Sequence, residues 1–205
     1  MPRPSAIVFD LGKVLVDFDY SIAARRILAR GKISLAEMQD YLSHSPLLGQ
    51  YETGLITRQQ FYEDVRRTAG FAGGLAEFGN YFADIFSEIP PMIELHAALR
   101  QKKIPVYIFS NTNDLAVEHI RRNFPFFAHF DGYVFSYEHR AMKPNPKIYE
   151  VVERETGRRG AEILYIDDRA ENILAGKERG WQVILQETPE KTRAAIEELQ
   201  LLNHA

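Results

Sequence analysis

Polar residues able to do chemistry stand in this sequence where apolar runs end. Asp10 follows Ala6-Ile7-Val8-Phe9, Ser110-Asn111-Thr112 follows Ile104 to Phe109, and Asp167-Asp168 follows Ile163 to Ile166. Lys143 precedes Pro144 in a polar stretch that reads as a loop entering a helix. Together they offer a carboxylate nucleophile, a hydroxyl donor, a cation and an acidic pair. That set suits a phosphate monoester, whose reaction spreads charge over the equatorial oxygens and is driven by positioning and electrostatics. Asp10 can attack phosphorus and form an aspartyl-phosphate that water then hydrolyses. A carboxylate approaches a phosphate dianion only when the repulsion is neutralised. A hard divalent cation held by Asp10 and Asp168 would do this, and magnesium suits a few carboxylates completed by phosphate and water. Lys143 adds a second positive charge, while Ser110 and nearby backbone N–H groups hold the phosphoryl oxygens.

Taken singly, each of these residues has an ordinary role. Asp10-Leu11-Gly12 can be a turn after a strand, Ser110-Asn111 a helix cap, Lys143 a loop lysine, and Asp167-Asp168 an N-cap with a favourable dipole charge. Their order, spacing and common placement at strand ends favour one joint site.

The elements that must position them alternate. Further strand-like runs are Tyr133 to Phe135 and Trp181 to Leu185. Helix-period segments cover Met92 to Gln101, Asp114 to Asn123, Pro146 to Thr156, Ala170 to Arg179 and Pro189 to Leu202. Strands alternating with helices predict an α/β fold, a Rossmann-like parallel sheet flanked by helices, with ligands at the carboxyl ends of the strands. From about Asp17 to Ile89 the alternation stops. That stretch has no convincing buried strand, and Ser34-Leu35-Ala36-Glu37 and Thr57-Arg58-Gln59-Gln60 carry the spacing of helix-starting capping boxes. Residues 1–16 and 90–205 are therefore expected to form the core, with 17–89 as an all-helical cap inserted after the first strand and broken near Gly70 to Gly74.

Composition narrows the partners. At 205 residues and 45% hydrophobic content the chain can bury one substantial core with an appended subdomain. A formal charge of -3, without long Lys or Arg runs, argues against nucleic acid and for a small phosphorylated metabolite. With no cysteine, thiolate metal sites, cysteine nucleophiles and disulfides are excluded. No apolar stretch approaches the roughly 20 residues that span a bilayer, and Met1 to Ser5 resembles no signal peptide, so a cytoplasmic protein without membrane partners is expected. The oligomeric state is not legible.

Phe9-Asp10-Leu11-Gly12, Ile108-Phe109-Ser110-Asn111, Lys143-Pro144-Asn145-Pro146-Lys147-Ile148-Tyr149 and Ile166-Asp167-Asp168-Arg169-Ala170-Glu171-Asn172 resemble the four ordered motifs of the haloacid dehalogenase-like hydrolases. Tyr51-Glu52-Thr53-Gly54-Leu55-Ile56-Thr57 looks like a segment common in the helical caps of that superfamily. The resemblance implies a magnesium-dependent phosphatase with Asp10 as nucleophile, Ser110 and Asn111 binding phosphate, and Lys143 stabilising charge. It further implies that Asp10, Asp168 and the Gly12 carbonyl hold the metal, with Asp167 and Asn172 behind them as orienting partners.

One position departs from the pattern. Most phosphatases of the superfamily carry a second Asp two residues after the nucleophile to protonate the leaving oxygen, and here that position is Gly12. General acid–base help is worth roughly 100- to 10,000-fold, so its absence matters. The Asp-Leu-Gly-x-Val pattern resembles a branch that includes glucose-1-phosphate phosphatase, and sugar 1-phosphates, whose leaving group needs less protonation, are attractive substrates. His44 is a candidate substitute acid. Tyr41, Tyr51, Phe61 and Tyr62 could face substrate, although aromatics at helical spacing more often form core. Two alternatives stay open: a silent binding or scaffold protein of the same fold, and a 2-haloacid dehalogenase, against which the acidic pair Asp167-Asp168 argues.

Overall fold

The computed structural model describes residues 3–34, 36–38, 41 and 45–202. Its centre is β1 (Ala6–Phe9), completely buried because every side chain is apolar and the sheet is covered on both faces. Around it lie β4 (Val106–Ser110), β5 (Gly132–Phe135), β6 (Ile163–Asp167) and β7 (Gln182–Leu185), all parallel, in the order β5-β4-β1-β6-β7. The chain builds outward from β1 through β4 to β5, then crosses back to place β6 on the other side of β1. The crevice between the outgoing and returning halves opens at the carboxyl ends of β1, β4 and β6, where open α/β sheets bind ligands.

Side-chain alternation assigns the two faces. Ile7, Phe9, Ile108, Leu164 and Ile166 pack against Met92, Leu95 and Leu99 of α5 (Pro90–Gln101) and Ile196 of α10 (Pro189–Glu198). Val8, Phe109, Val134 and Tyr165 face the opposite way, onto Ile148, Tyr149 and Val152 of α8 (Pro146–Thr156) and onto Trp181. The register Ile7↔Leu164, Val8↔Tyr165, Phe9↔Ile166 keeps the two sets apart. Two further helices flank the sheet, α6 (Asp114–Asn123) and α9 (Ala170–Glu178), and the single turn α7 (Ser136–His139) follows β5.

Between β1 and α5 the chain forms α1 (Tyr20–Leu28), α2 (Leu47–Glu52), α3 (Arg58–Ala69) and α4 (Leu75–Ala83), with residues 36–38 also helical. These helices bury a cluster of their own in which the Tyr51 ring stacks on Phe61 at 4.5 Å and Phe61 packs edge-on to Phe82 at 5.0 Å. Tyr51, Phe61 and Tyr62 are therefore core residues. Thr57 starts α3 with both halves of a capping box, and Ser34 and Glu37 exchange the same pair of bonds. Gly70 ends α3 in the left-handed conformation. A feature not expected from the sequence brackets the helices: β2 (Val16–Phe18) and β3 (Phe86–Glu88) pair antiparallel as a two-stranded ribbon. Each strand has three residues and mostly exposed or half-buried side chains, too little apolar run to read.

Candidate active site

Strand ends deliver the site. Asp10 leaves β1 with its N–H donating to the Ile166 carbonyl at 2.8 Å, and its own Oδ1 accepts the Leu11 N–H at 2.7 Å. Ser110 is the last residue of β4 and Asp167 the last of β6. Lys143 arrives from the loop before α8, whose N-terminus Asn145 caps by accepting the Lys147 N–H. Asn111 pins that loop from both sides: its Oδ1 accepts the Lys143 N–H at 2.8 Å, and its Nδ2 donates to the Lys143 carbonyl at 3.0 Å. With its side chain committed to this clamp, what Asn111 offers a phosphate is its main-chain N–H.

The Lys143 ammonium has three protons and three acceptors. They are Asp10 Oδ1 at 2.9 Å, Asp167 Oδ2 at 2.6 Å and the Phe109 carbonyl at 2.9 Å. Burial alone would strip its charge, but Asp10 and Asp167 outweigh burial and raise its pKa. Asp167 is saturated as well. Its Oδ2 accepts from Lys143, Tyr165 and Asn172, and its Oδ1 from the Arg169 N–H at 2.8 Å and from Asn172 at 3.0 Å. Burial pushes this carboxyl up, yet Lys143 and these donors win and hold it below the ordinary range.

Asp10 is placed differently. Burial, reinforced by the negative charge of Asp167, pushes it up to about 7 despite Lys143. Asp168, half-buried beside them, is also raised, by burial first and Asp167 second. Oxygens of Asp10, Asp167 and Asp168 lie within 4.8 Å of one another. Three acids against one buried ammonium leave excess negative charge in a poorly solvated place, which a hard cation relieves. Because Asp167 has no oxygen to spare, Asp10 and Asp168 are the carboxylates that fit such an ion.

A cavity of about 280 Å³ opens over these groups, lined by Asp10, Gly12, Ser110, Asn111, Lys143, Asp168 and Asn172 from the sheet side. The inserted segment contributes Phe18 from β2 and Tyr20, Leu48 and Glu52 from its helices. The cavity thus gathers every site residue that the four motifs predict except Asp167, which is fully buried, while Tyr51, Phe61 and Tyr62 lie in the helical cluster instead. Glu52, Phe18 and Tyr20 were not legible as site residues, because nothing in their local pattern says which way the inserted helices face. His44 lies outside the described residues. At Gly12, an added Cβ would come 2.8 Å from Phe18 Cε1, so the Phe18 ring occupies the space next to the nucleophile where a longer side chain would grow.

The sequence model of the haloacid dehalogenase-like hydrolase family matches residues 4–180. The chain belongs to the haloacid dehalogenase-like hydrolases. Among relatives of this hydrolase, a D-ribitol-5-phosphate phosphatase of Bacteroides thetaiotaomicron is 26% identical over 88% of this chain and 91% of its own length. A sesquiterpene phosphatase of Aspergillus oryzae is 24% identical over 85% of this chain and 86% of its own. The crystal structure of a haloacid dehalogenase family enzyme from B. thetaiotaomicron, in complex with magnesium and inorganic phosphate, superposes with a TM-score of 0.77 at 25% identity. It covers 89% of this chain and 93% of that one.

Proposed function

We propose that this hydrolase is a magnesium-dependent phosphatase acting on small phosphate monoesters through an aspartyl-phosphate on Asp10. The observation that carries the reading is the single buried Lys143 ammonium bridging Asp10 and Asp167 at the sheet's crevice, with Asp168 alongside. Asp10, Asp168 and the Gly12 carbonyl would hold magnesium, which would supply the positive charge that lets a carboxylate meet a phosphate dianion.

The remaining work falls to the chain itself. Lys143 keeps Asp10 oriented through Oδ1 and favours its ionised form, which burial otherwise disfavours. The other oxygen of Asp10 attacks phosphorus. Ser110 Oγ and the main-chain N–H of Asn111 hold the equatorial phosphoryl oxygens, as preorganised donors do where charge develops. Asp167 and Asn172, locked to each other and to Lys143, fix the ammonium and the turn that carries Asp168. Residues 1–16 and 90–205 act as the catalytic core, with 17–89 a helical cap, joined to it through the β2/β3 ribbon, that selects substrate. The names of the two phosphatase relatives and the magnesium-phosphate complex of the third support this chemistry. Sugar and polyol phosphates, including sugar 1-phosphates, are the substrates to try first.

Hydrolysis of an aryl phosphate measured with magnesium, with EDTA and with Asp10→Asn tests the reading. Activity only in the first condition is expected. Activity that survives chelation or the substitution overturns it, and so does inactivity of the parent on both aryl and sugar phosphates.

A further inference from the structure

Gly12 removes the residue that would ordinarily shuttle protons at this site, and the fold closes the gap left behind. Phe18 sits against Gly12, its ring edge-packed on Tyr20 at 5.4 Å and on Phe86 at 6.0 Å, with Lys13 Nζ 4.7 Å from its centroid. Held on three sides, that ring leaves no path for an acid from position 12. A different carboxyl, that of Glu52, lines the same cavity.

We propose that Glu52, delivered by the last residue of α2, is the acid–base catalyst of this site. The inference rests on the phosphatase reading above. Glu52 lines the cavity together with Asp10, Ser110, Lys143 and Asp168. Its carboxyl is steered by the Tyr20 hydroxyl, which donates to Oε1 at 3.3 Å. Its backbone is stitched to the catalytic side of the sheet: the Ser136 hydroxyl donates to the Glu52 carbonyl at 2.5 Å and accepts the N–H of Thr112, two residues past Ser110, at 2.9 Å. The turn that follows is seated as closely as a backbone permits. Gly54 has φ +69, and a Cβ there would meet the Tyr137 carbonyl oxygen at 2.1 Å. Such precise docking is what a catalytic group needs and what a loosely covering lid does not.

The environment suits a proton carrier. Burial pushes the Glu52 carboxyl up to about 7, with Tyr20 and the charge of Arg169 only partly opposing it, so the group holds a proton near neutral pH where an ordinary glutamate would not. The charged and titratable groups around the cavity are Lys13, Tyr20, Asp10, Lys143, Asp168 and Arg169. In the first step an Asp10 oxygen bonds to phosphorus, the bond from phosphorus to the leaving oxygen breaks, and that oxygen takes the proton of Glu52. In the second, the Glu52 carboxylate takes a proton from water as the water oxygen bonds to phosphorus. The bond to Asp10 breaks, inorganic phosphate leaves, and Glu52 is protonated again.

Leaving-group dependence tests the assignment. In Glu52→Gln, kcat/KM for an alkyl phosphate such as ribitol 5-phosphate should fall by about 100- to 10,000-fold. The first turnover of 4-nitrophenyl phosphate, whose phenolate leaves without a proton, should keep its burst to within about threefold, followed by slow turnover as the phosphorylated enzyme accumulates. Glu52→Ala should regain alkyl phosphate turnover when formate is added, and a melting curve verifies that both variants fold. Equal losses on the two substrates, full alkyl activity in Glu52→Gln, or no rescue of a folded Glu52→Ala overturns the proposal. Turnover by Asp10→Asn instead overturns the phosphatase reading beneath it.

Discussion

Replacing Lys143 with Met removes the one cation from a buried acid cluster while nearly preserving its volume. The ammonium touches Asp10 at 2.9 Å, Asp167 at 2.6 Å and the Phe109 carbonyl at 2.9 Å, with a side chain 1% exposed, so solvent cannot replace it. Deleting one partner of a buried ion pair typically costs about 3–5 kcal/mol, because the other charge stays behind unpaired. In the parent, Asp10 titrates at about 7 and is ionised above that pH. In the variant its pKa climbs further, so the folded state keeps a proton that the unfolded chain, with an ordinary carboxyl pKa, has already released. Stability of the variant should therefore fall as pH rises above about 7, by up to about 1.4 kcal/mol per unit, where the parent shows no such slope from this group. Urea unfolding in EDTA at about pH 6 to 9 reads both effects. Lys143→Met with Asp167→Asn should recover much of the loss, since one of the two stranded charges is gone. A destabilisation under about 1 kcal/mol, or one independent of pH, would refute the reasoning that this lysine holds two buried carboxylates together.

Asp168→Asn should raise the magnesium needed for half-maximal activity by more than the roughly 10- to 100-fold seen when only a ligand's supporting partner is lost, as measured by magnesium titration of aryl phosphate turnover. Gly54→Ala should cost at least about 2 kcal/mol in urea unfolding, combining a left-handed φ with a clash against main-chain oxygen that no rotamer relieves, and should lower turnover by displacing Glu52. His96, 2% exposed with Nε2 bonded to the His129 carbonyl at 3.1 Å, is pushed down to about 4 by burial. Its depressed value means the unfolded chain binds a proton first, so about 2.5 kcal/mol of stability is lost between about pH 7 and 4.5; this loss should be absent in His96→Gln when the two pH profiles are subtracted.

The core was legible because its information is local. A parallel strand covered on both faces must be an apolar run, and a polar residue ending it must lie at the sheet's carboxyl edge, so Asp10, Ser110 and Asp167 could be placed from short windows. The helix starts at Ser34 and Thr57 were likewise written in capping side chains that satisfy their own backbone. The motif resemblance set Asp168 on the metal and Asp167 behind it, but the partners that saturate Asp167 were not legible, since Lys143 comes from a distant loop and Asn172 from the following helix. The side chain of Asn111 looked available for phosphate and is spent on Lys143, more than thirty positions away. Least legible was the helical insertion. Its amphipathic patterns report that a face is buried but not against what. Its orientation is set by long-range contacts of Arg58 with Asp114 and Glu118, Ser136 with Glu52, and Gly54 with Tyr137. Sequence alone therefore determined where the nucleophile stands and that the position after next lacks an acid. Only the folded chain, by closing those distant contacts, decided that Phe18 fills that gap and that Glu52 lines the same cavity as Asp10.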